Sequence, residues 1–220
     1  MDDILIIGSS GHAKVVIDIV EQVGRYRIAG LLDDYRSIGE ETLGYSVIGK
    51  RTDLVDRVRE HSIRGTLIAI GDNDARSKIA DWAIQCCPDL PFVTAVHPSA
   101  TIARNVDLGA GTVIMAGAVI NPCCSVGQFC ILNTNSSLDH DSVMEDFASL
   151  APGATVGGSC QIGTRSAVGM GATLVQSVTI GNGTVVGAAS LVLGSIESGI
   201  VAYGVPARAV RARNLEDRYL

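Results

Sequence analysis

Two hydrophobic rhythms divide the 220 residues. From Val96 to Glu197 an aliphatic residue opens every sixth position, through Ile102, Leu108, Ile114, Leu138, Met144 and Leu150 to Val186 and Val192. Four positions after each opener the side chain is usually small or β-branched, as at Ala118, Cys124, Cys130, Ser136, Ser142 and Ser166. The 102 positions hold seventeen hexads without a slip in register. An amphipathic helix keeps no strict period of six, and a plain strand alternates at two. The period predicts a parallel β-helix in which each hexad is one short strand and a corner. Opener and small residue then point inward and stack on their equivalents in neighbouring coils.

Residues 1–95 follow another pattern. Ile4–Ile7 reads as a strand, and after it Val15, Val16, Ile19, Val20 and Val23 fall at helical spacing. Ile28–Leu32 predicts a second strand and Thr66–Ile70 a third. Between them Thr52 would cap a helix carrying Leu54, Val55 and Val58. A further helix would carry Ile79, Trp82, Ala83 and Ile84. Strands alternating with helices predict a small, Rossmann-like parallel α/β sheet. Pro98 marks the handover, so the expected organisation is 1–95 α/β, 96–197 β-helix and 198–220 a C-terminal cap and tail. Gly199 breaks the period there, and Tyr203-Gly204-Val205-Pro206 turns the chain back.

Composition narrows the picture. A hydrophobic share of 47% with only 4% aromatic residues suits a narrow core of stacked aliphatics, and 25 glycines suit tight corners. A net charge of −6 with no basic tract gives no support to nucleic-acid binding. No apolar run approaches spanning length and the start is not a signal peptide, so the chain reads as soluble and cytoplasmic. Cys124, Cys130 and Cys160 occupy inward slots and no Cys-x-x-Cys occurs, so the six cysteines read as reduced packing residues.

Candidate chemistry collects in two places. At the carboxyl ends of the predicted strands lie Gly8-Ser9-Ser10-Gly11-His12-Ala13-Lys14, Asp33-Asp34 and Gly71-Asp72-Asn73, where open α/β sheets bind ligands. The glycines would admit a phosphate to a helix N-terminus. Ser10 stands where a dinucleotide fingerprint needs its second glycine, so the turn alone serves equally as a tight connection. Asp33 would accept from a ribose or base. The second place is Asp139-His140-Asp141. His140 falls at an outward corner, as a solvated histidine or as a base whose tautomer a flanking carboxylate fixes.

Together with the hexads, Gly8–Val16, Gly71-Asp72-Asn73, Asp139-His140-Asp141 and Gly204-Val205-Pro206-Ala207 resemble the bacterial sugar acyltransferases of the hexapeptide-repeat family. That family includes sialic-acid O-acetyltransferases and nucleotide-amino-sugar N-acetyltransferases. The resemblance implies a left-handed, three-sided prism with 18 residues per coil, and a nucleotide-sugar site in the N-terminal domain. It implies Gly11, His12 and Asp33 as nucleotide-sugar contacts, with the Gly71–Asn73 loop in the same cleft, and Asn133 near the sugar. His140 becomes the general base with Asp141 its partner, and Gly158 meets the thioester carbonyl. Some relatives carry a second histidine where this chain has Ser149. The β-helical carbonic anhydrases share the repeat but bind zinc through three histidines. Only His97 and His140 lie in this repeat, so no metal is expected.

The expected activity is acetyl-CoA-dependent N-acetylation of a 4-amino-4,6-dideoxy sugar on a nucleotide, the amine attacking the thioester directly as both substrates meet in one cleft. Sugar O-acetylation is the enzymatic alternative, and a non-catalytic scaffold for another sugar enzyme the other. Arg208, in a run with Arg211 and Arg213, would meet the phosphates of CoA or form part of a solvated basic tail. His140 has no wall of its own, and the family packs three prisms in parallel, so a homotrimer is expected, with three sites at subunit boundaries, each using His140 from one chain and CoA contacts from two, and with no membrane insertion.

Overall fold

The computed structural model describes residues 1–214 and 217. The remaining positions of the expected tail lie outside the described residues. A five-stranded sheet opens the chain in the order β3-β4-β2-β1-β5, formed by β1 (Asp2–Ile7), β2 (Tyr26–Leu32), β3 (Glu41–Thr42), β4 (Tyr45–Gly49) and β5 (Gly65–Ile68). β1 pairs in parallel with β2 and β5, and β2 in parallel with β4. β3 is the antiparallel partner of β4, a short hairpin that the hydropathy pattern did not predict.

Helix α1 (Gly11–Val23) buries Ala13, Val16, Ile17, Ile19 and Val20 and ends at Gly24 in the left-handed conformation. Val15 and Val23, expected on its inner face, are partly exposed at 38% and 40%. α2 (Leu54–Glu60) is preceded by a 3₁₀ turn at Arg51–Asp53, so Asp53 rather than Thr52 stands at its start. α3 (Asn73–Cys86) is capped by Asp72, whose carboxylate accepts from the Ala75 N–H at 2.8 Å.

From Ala95–Val96 onward the chain coils into a prism of two-residue strands paired in parallel at a spacing of 18, as in Val119↔Ser137 and Ser137↔Thr155. It is the parallel β-helix expected from the hexads, with the left hand that the family resemblance implies. Face I stacks the strands ending at Ile102, Ile120, Leu138, Val156, Leu174 and Val192. Face II stacks those ending at Leu108, Val126, Met144, Ile162 and Ile180, and face III those ending at Val96, Ile114, Leu132, Leu150, Val168 and Val186. The openers from Ile114 to Val192 are at most 2% exposed, and Ala118, Cys130, Ser142, Ala154 and Ser166 are fully buried. Each buried aliphatic contributes about 1.5–3 kcal/mol. The hairpin of Ile200–Gly204 with Ala207–Ala212 extends face III over the last coil.

The corners correct the reading of glycine. The fourth residue of each hexad from Asn105 to Ala189 has a left-handed φ, yet most are not glycine: Cys123, Phe129, Asn135, Asp141, Phe147 and Arg165 are among them. Glycine is instead frequent at the second position, where coils approach most closely. A Cβ on Gly157 would lie 2.7 Å from the Gln176 backbone nitrogen. Coil spacing, more than backbone torsion, therefore calls for glycine in this prism.

The N-terminal sheet and prism share a core. One face of α1 joins Val93 with Val113, Met115 and Ile131 along face III in a single cluster. At the edge between faces II and III, Phe129 stacks on Phe147 (centroids 5.0 Å) and meets Phe92 edge-on at 4.8 Å.

Candidate active site

His140 stands on the edge between faces I and II. Leu138 anchors the preceding strand and Ser142 plugs the corner, its hydroxyl donating to the Gly157 carbonyl at 3.2 Å. The left-handed φ of +59° at Asp141 turns its carboxylate back toward the preceding ring, placing Oδ2 2.7 Å from His140 Nδ1. Asp139 holds the main chain: Oδ1 accepts from the His140 N–H at 2.8 Å and from Asn121 Nδ2 at 2.7 Å. The ring lies against Gly158, where a Cβ would come 2.6 Å from both Cε1 and Nε2. The His140 side chain is 58% exposed. Its pKa is raised above the ordinary 6.5, first by the Asp141 hydrogen bond and then by the Asp139 charge. Such a group takes a proton at Nε2 while Nδ1–H is held by a carboxylate.

Gly8, Ser9, Ser10, Asp33 and Tyr35 line a cleft of about 690 Å³ at the carboxyl ends of β1 and β2. Asp33 organises it. Oδ2 accepts from Ser9 Oγ at 2.5 Å, while Oδ1 accepts from the backbone N–H groups of Tyr35 (2.9 Å) and Arg36 (3.1 Å). Partial burial works to raise its pKa, but these hydrogen bonds outweigh it and leave the carboxyl below its usual range. Gly11 opens α1 with free space around its Cα, leaving the helix N-terminus accessible.

His12 does not share that cleft. It lines a second cavity, about 320 Å³, with Gly71, Asn133, Ser149, Pro152 and Met170 against the outer side of face III. Its Nε2 is buried without a hydrogen-bond partner among the described residues. Burial, assisted by the Arg76 charge, lowers its pKa to about 4, so the ring is neutral at pH 7. Asn133 turns its Oδ1 onto the Thr134 N–H at 2.8 Å.

Asn73 corrects an expectation. It is fully buried, donates to Ser149 Oγ (3.1 Å) and the Ser166 carbonyl (3.0 Å), and accepts from Arg76 Nη2 at 2.6 Å. Asn73 is thus a tether between α3 and the prism rather than a substrate contact, and Ser149 is its anchor. Arg76, which hydropathy had not singled out, completes the seam. Its guanidinium donates to the carbonyls of Ile70, Gly71, Phe129 and Phe147 at 2.8–3.0 Å.

The two halves of the candidate site do not meet within one chain. His140 occupies the vertex between faces I and II, whereas the His12 cavity lies on face III, the side opposite that vertex. On the His140 edge, Gly158, Gln176 and Gly194 follow at intervals of 18, and Gly194 shares a cleft with Arg208. Three coils at the usual strand spacing put Gly194 roughly 14 Å along the edge from His140.

Comparison with known proteins bears on both halves. Residues 3–83 match the model of the PglD N-terminal domain. UDP-N-acetylbacillosamine N-acetyltransferase of Bacillus subtilis (strain 168) is 33% identical over 117 residues, which is 53% of this chain and spans only 52% of that relative's length. The crystal structure of PerB from Caulobacter crescentus, in complex with CoA and GDP-perosamine, superposes with a TM-score of 0.89 at 34% identity, covering 96% of this chain and 98% of that one. The acetyltransferase domain of PglB from Neisseria gonorrhoeae FA1090, in complex with acetyl coenzyme A, gives 0.88 at 31%, covering 94% and 98%. Alike in both domains and along nearly their whole length, this chain belongs to the hexapeptide-repeat nucleotide-amino-sugar N-acetyltransferases.

Proposed function

We propose that the protein transfers the acetyl group of acetyl-CoA to the amine of a nucleotide-linked amino sugar, namely the 4-amino group of a 4-amino-4,6-dideoxyhexose. The observation that carries this reading is the His140–Asp141 pair beneath Gly158 on the prism edge, in a chain that also carries the Gly8–Asp33 cleft. The relatives that hold CoA with GDP-perosamine, or acetyl coenzyme A, support the substrate pair.

In this reading the amine attacks the thioester carbonyl directly. His140 Nε2 takes the proton that the nitrogen loses, and Asp141 stabilises the imidazolium. The Gly158 N–H donates to the oxyanion as it forms. Collapse expels the CoA thiolate, which recovers a proton, and no acyl-enzyme is required. Arg208, in the cleft that Gly194 also lines, meets the CoA phosphates, while Gly11 and Asp33 hold the nucleotide and His12 and Asn133 line the sugar's approach. Released CoA, read with a thiol reagent against UDP-, GDP- and dTDP-linked 4-amino sugars, tests the reading. No release with any of the three would overturn it.

Asp141 sets the pH response. The neutral ring is the base, so kcat/KM should rise with pH through the His140 pKa, an acid limb above pH 6.5. Asp141→Asn removes the largest cause raising that pKa, so the limb should move to lower pH while the plateau falls. A limb that stays in place would assign it to another group.

Since vertex and cavity face opposite ways, a complete site needs His140 from one chain and face III of the next. That contact is head-to-tail and closes as a ring, and we assign the protein a homotrimer with three shared sites. Light scattering and dilution kinetics should show specific activity falling as trimers dissociate. A fully active monomer would refute the shared site.

A further inference from the structure

The Gly8–Asp33 cleft contains an aromatic ring for which the fold has no use. Tyr35 is 98% exposed, yet its backbone is fixed. Its N–H donates to Asp33 Oδ1, and the next residue, Arg36, is bonded to Glu40 at 2.8 Å and to Thr42 at 2.5 Å. Thr42 in turn donates to the Ser9 carbonyl at 2.8 Å, closing the loop onto the Gly8–Gly11 turn. The ring therefore projects from a braced segment rather than from a slack one. Nearby, Arg51 is held by Asp34 at 2.8 Å and lies 5.8 Å from the centre of the Trp82 ring, and it lines the same cleft.

The groups that line the cleft are of the kinds a nucleoside diphosphate needs. Ser9 and Ser10, in the turn before α1, suit the phosphates, the Asp33 carboxylate suits a sugar hydroxyl, and Tyr35, 98% exposed, stands at the rim. An aromatic face there suits a planar base, since every base presents a π-face. We propose that Tyr35 is the stacking platform for the nucleobase of the donor sugar nucleotide, a binding residue that supplies affinity through its ring rather than its hydroxyl. This rests on the reading that the cleft takes a nucleotide-linked sugar.

Calorimetric titration of the full chain with UDP, GDP, dTDP and inorganic diphosphate tests it, using wild type, Tyr35→Ala and Tyr35→Phe. Tyr35→Ala should weaken the nucleoside diphosphates about tenfold, and Tyr35→Phe should bind them as wild type does. Inorganic diphosphate should bind all three proteins alike. Wild-type affinity of Tyr35→Ala for every nucleoside diphosphate would overturn the platform and leave the proposed activity standing. An equal loss for inorganic diphosphate would make Tyr35 a support of the loop and overturn it too. A wild-type protein that binds none of the three would overturn the nucleotide reading, and the platform with it.

Discussion

Replacing His140 by alanine should lower turnover by roughly 10²–10⁴ while leaving the fold and both Michaelis constants nearly unchanged. The side chain is 58% exposed, and the corner is held by Leu138, Ser142 and the Asp139 hydrogen bonds instead. What the variant loses is the proton acceptor at the attacking amine. Added imidazole should restore part of the rate, because the space between Asp141 and Gly158 is then vacant. Gly158→Ala tests the same geometry from the other side: its Cβ would fall 2.6 Å from the ring, so the imidazole must leave its present position. Circular dichroism and thermal melting would establish that both variants fold. A folded His140→Ala enzyme with near-wild-type turnover would remove His140 from the mechanism.

Those residues were legible in the sequence because a strict hexad repeat fixes geometry by counting. Once Leu138 is an inward opener, His140 must lie at a corner, and the 18-residue coil that the family resemblance implies puts residue 158 over it. The same counting could not show that the N-terminal sheet packs against face III, since that contact joins residues of unrelated period. Hydropathy assigned the inner face of α3 to Ile79, Trp82, Ala83 and Ile84, but Ile84 is 45% exposed, whereas Asn73, Asp74, Arg76 and Ser77 are buried. The cause is the partner surface. A β-helix corner presents backbone carbonyls that need donors, so the first turn of α3 buries polar groups against it. His12 and Asp33 were placed together for a related reason. Motif spacing follows the chain, while His12, in the first turn of α1, lines the cavity against the prism and Asp33, just after β2, lines the separate cleft.

The buried arginine at that seam should dominate stability. Arg76 is 1% exposed. Nε donates to the Phe129 carbonyl at 2.8 Å, Nη1 to those of Ile70 and Gly71 at 2.9 Å, and Nη2 to Asn73 Oδ1 at 2.6 Å and the Phe147 carbonyl at 3.0 Å. A guanidinium has five N–H donors in a fixed fork, and here they span a loop of the N-terminal sheet and two successive coils. Arg76→Met keeps the approximate length of the side chain but removes every donor, stranding carbonyls that water reaches poorly. Each stranded group costs about 1–3 kcal/mol. Because the losses overlap, the whole should come to about 3–5 kcal/mol. In a chain of this size that lowers the melting midpoint by roughly 10 °C. Arg76→Lys should recover only part, since one ammonium cannot reach both the Gly71 loop and the Phe147 corner. The seam also holds Gly71 beside His12 at the face III cavity, so KM for the nucleotide sugar should rise in Arg76→Met more than KM for acetyl-CoA. Scanning calorimetry with steady-state kinetics on the same preparations checks both effects. A melting midpoint for Arg76→Met within about 2 °C of wild type would mean that the aromatic and aliphatic contacts alone hold the two parts together.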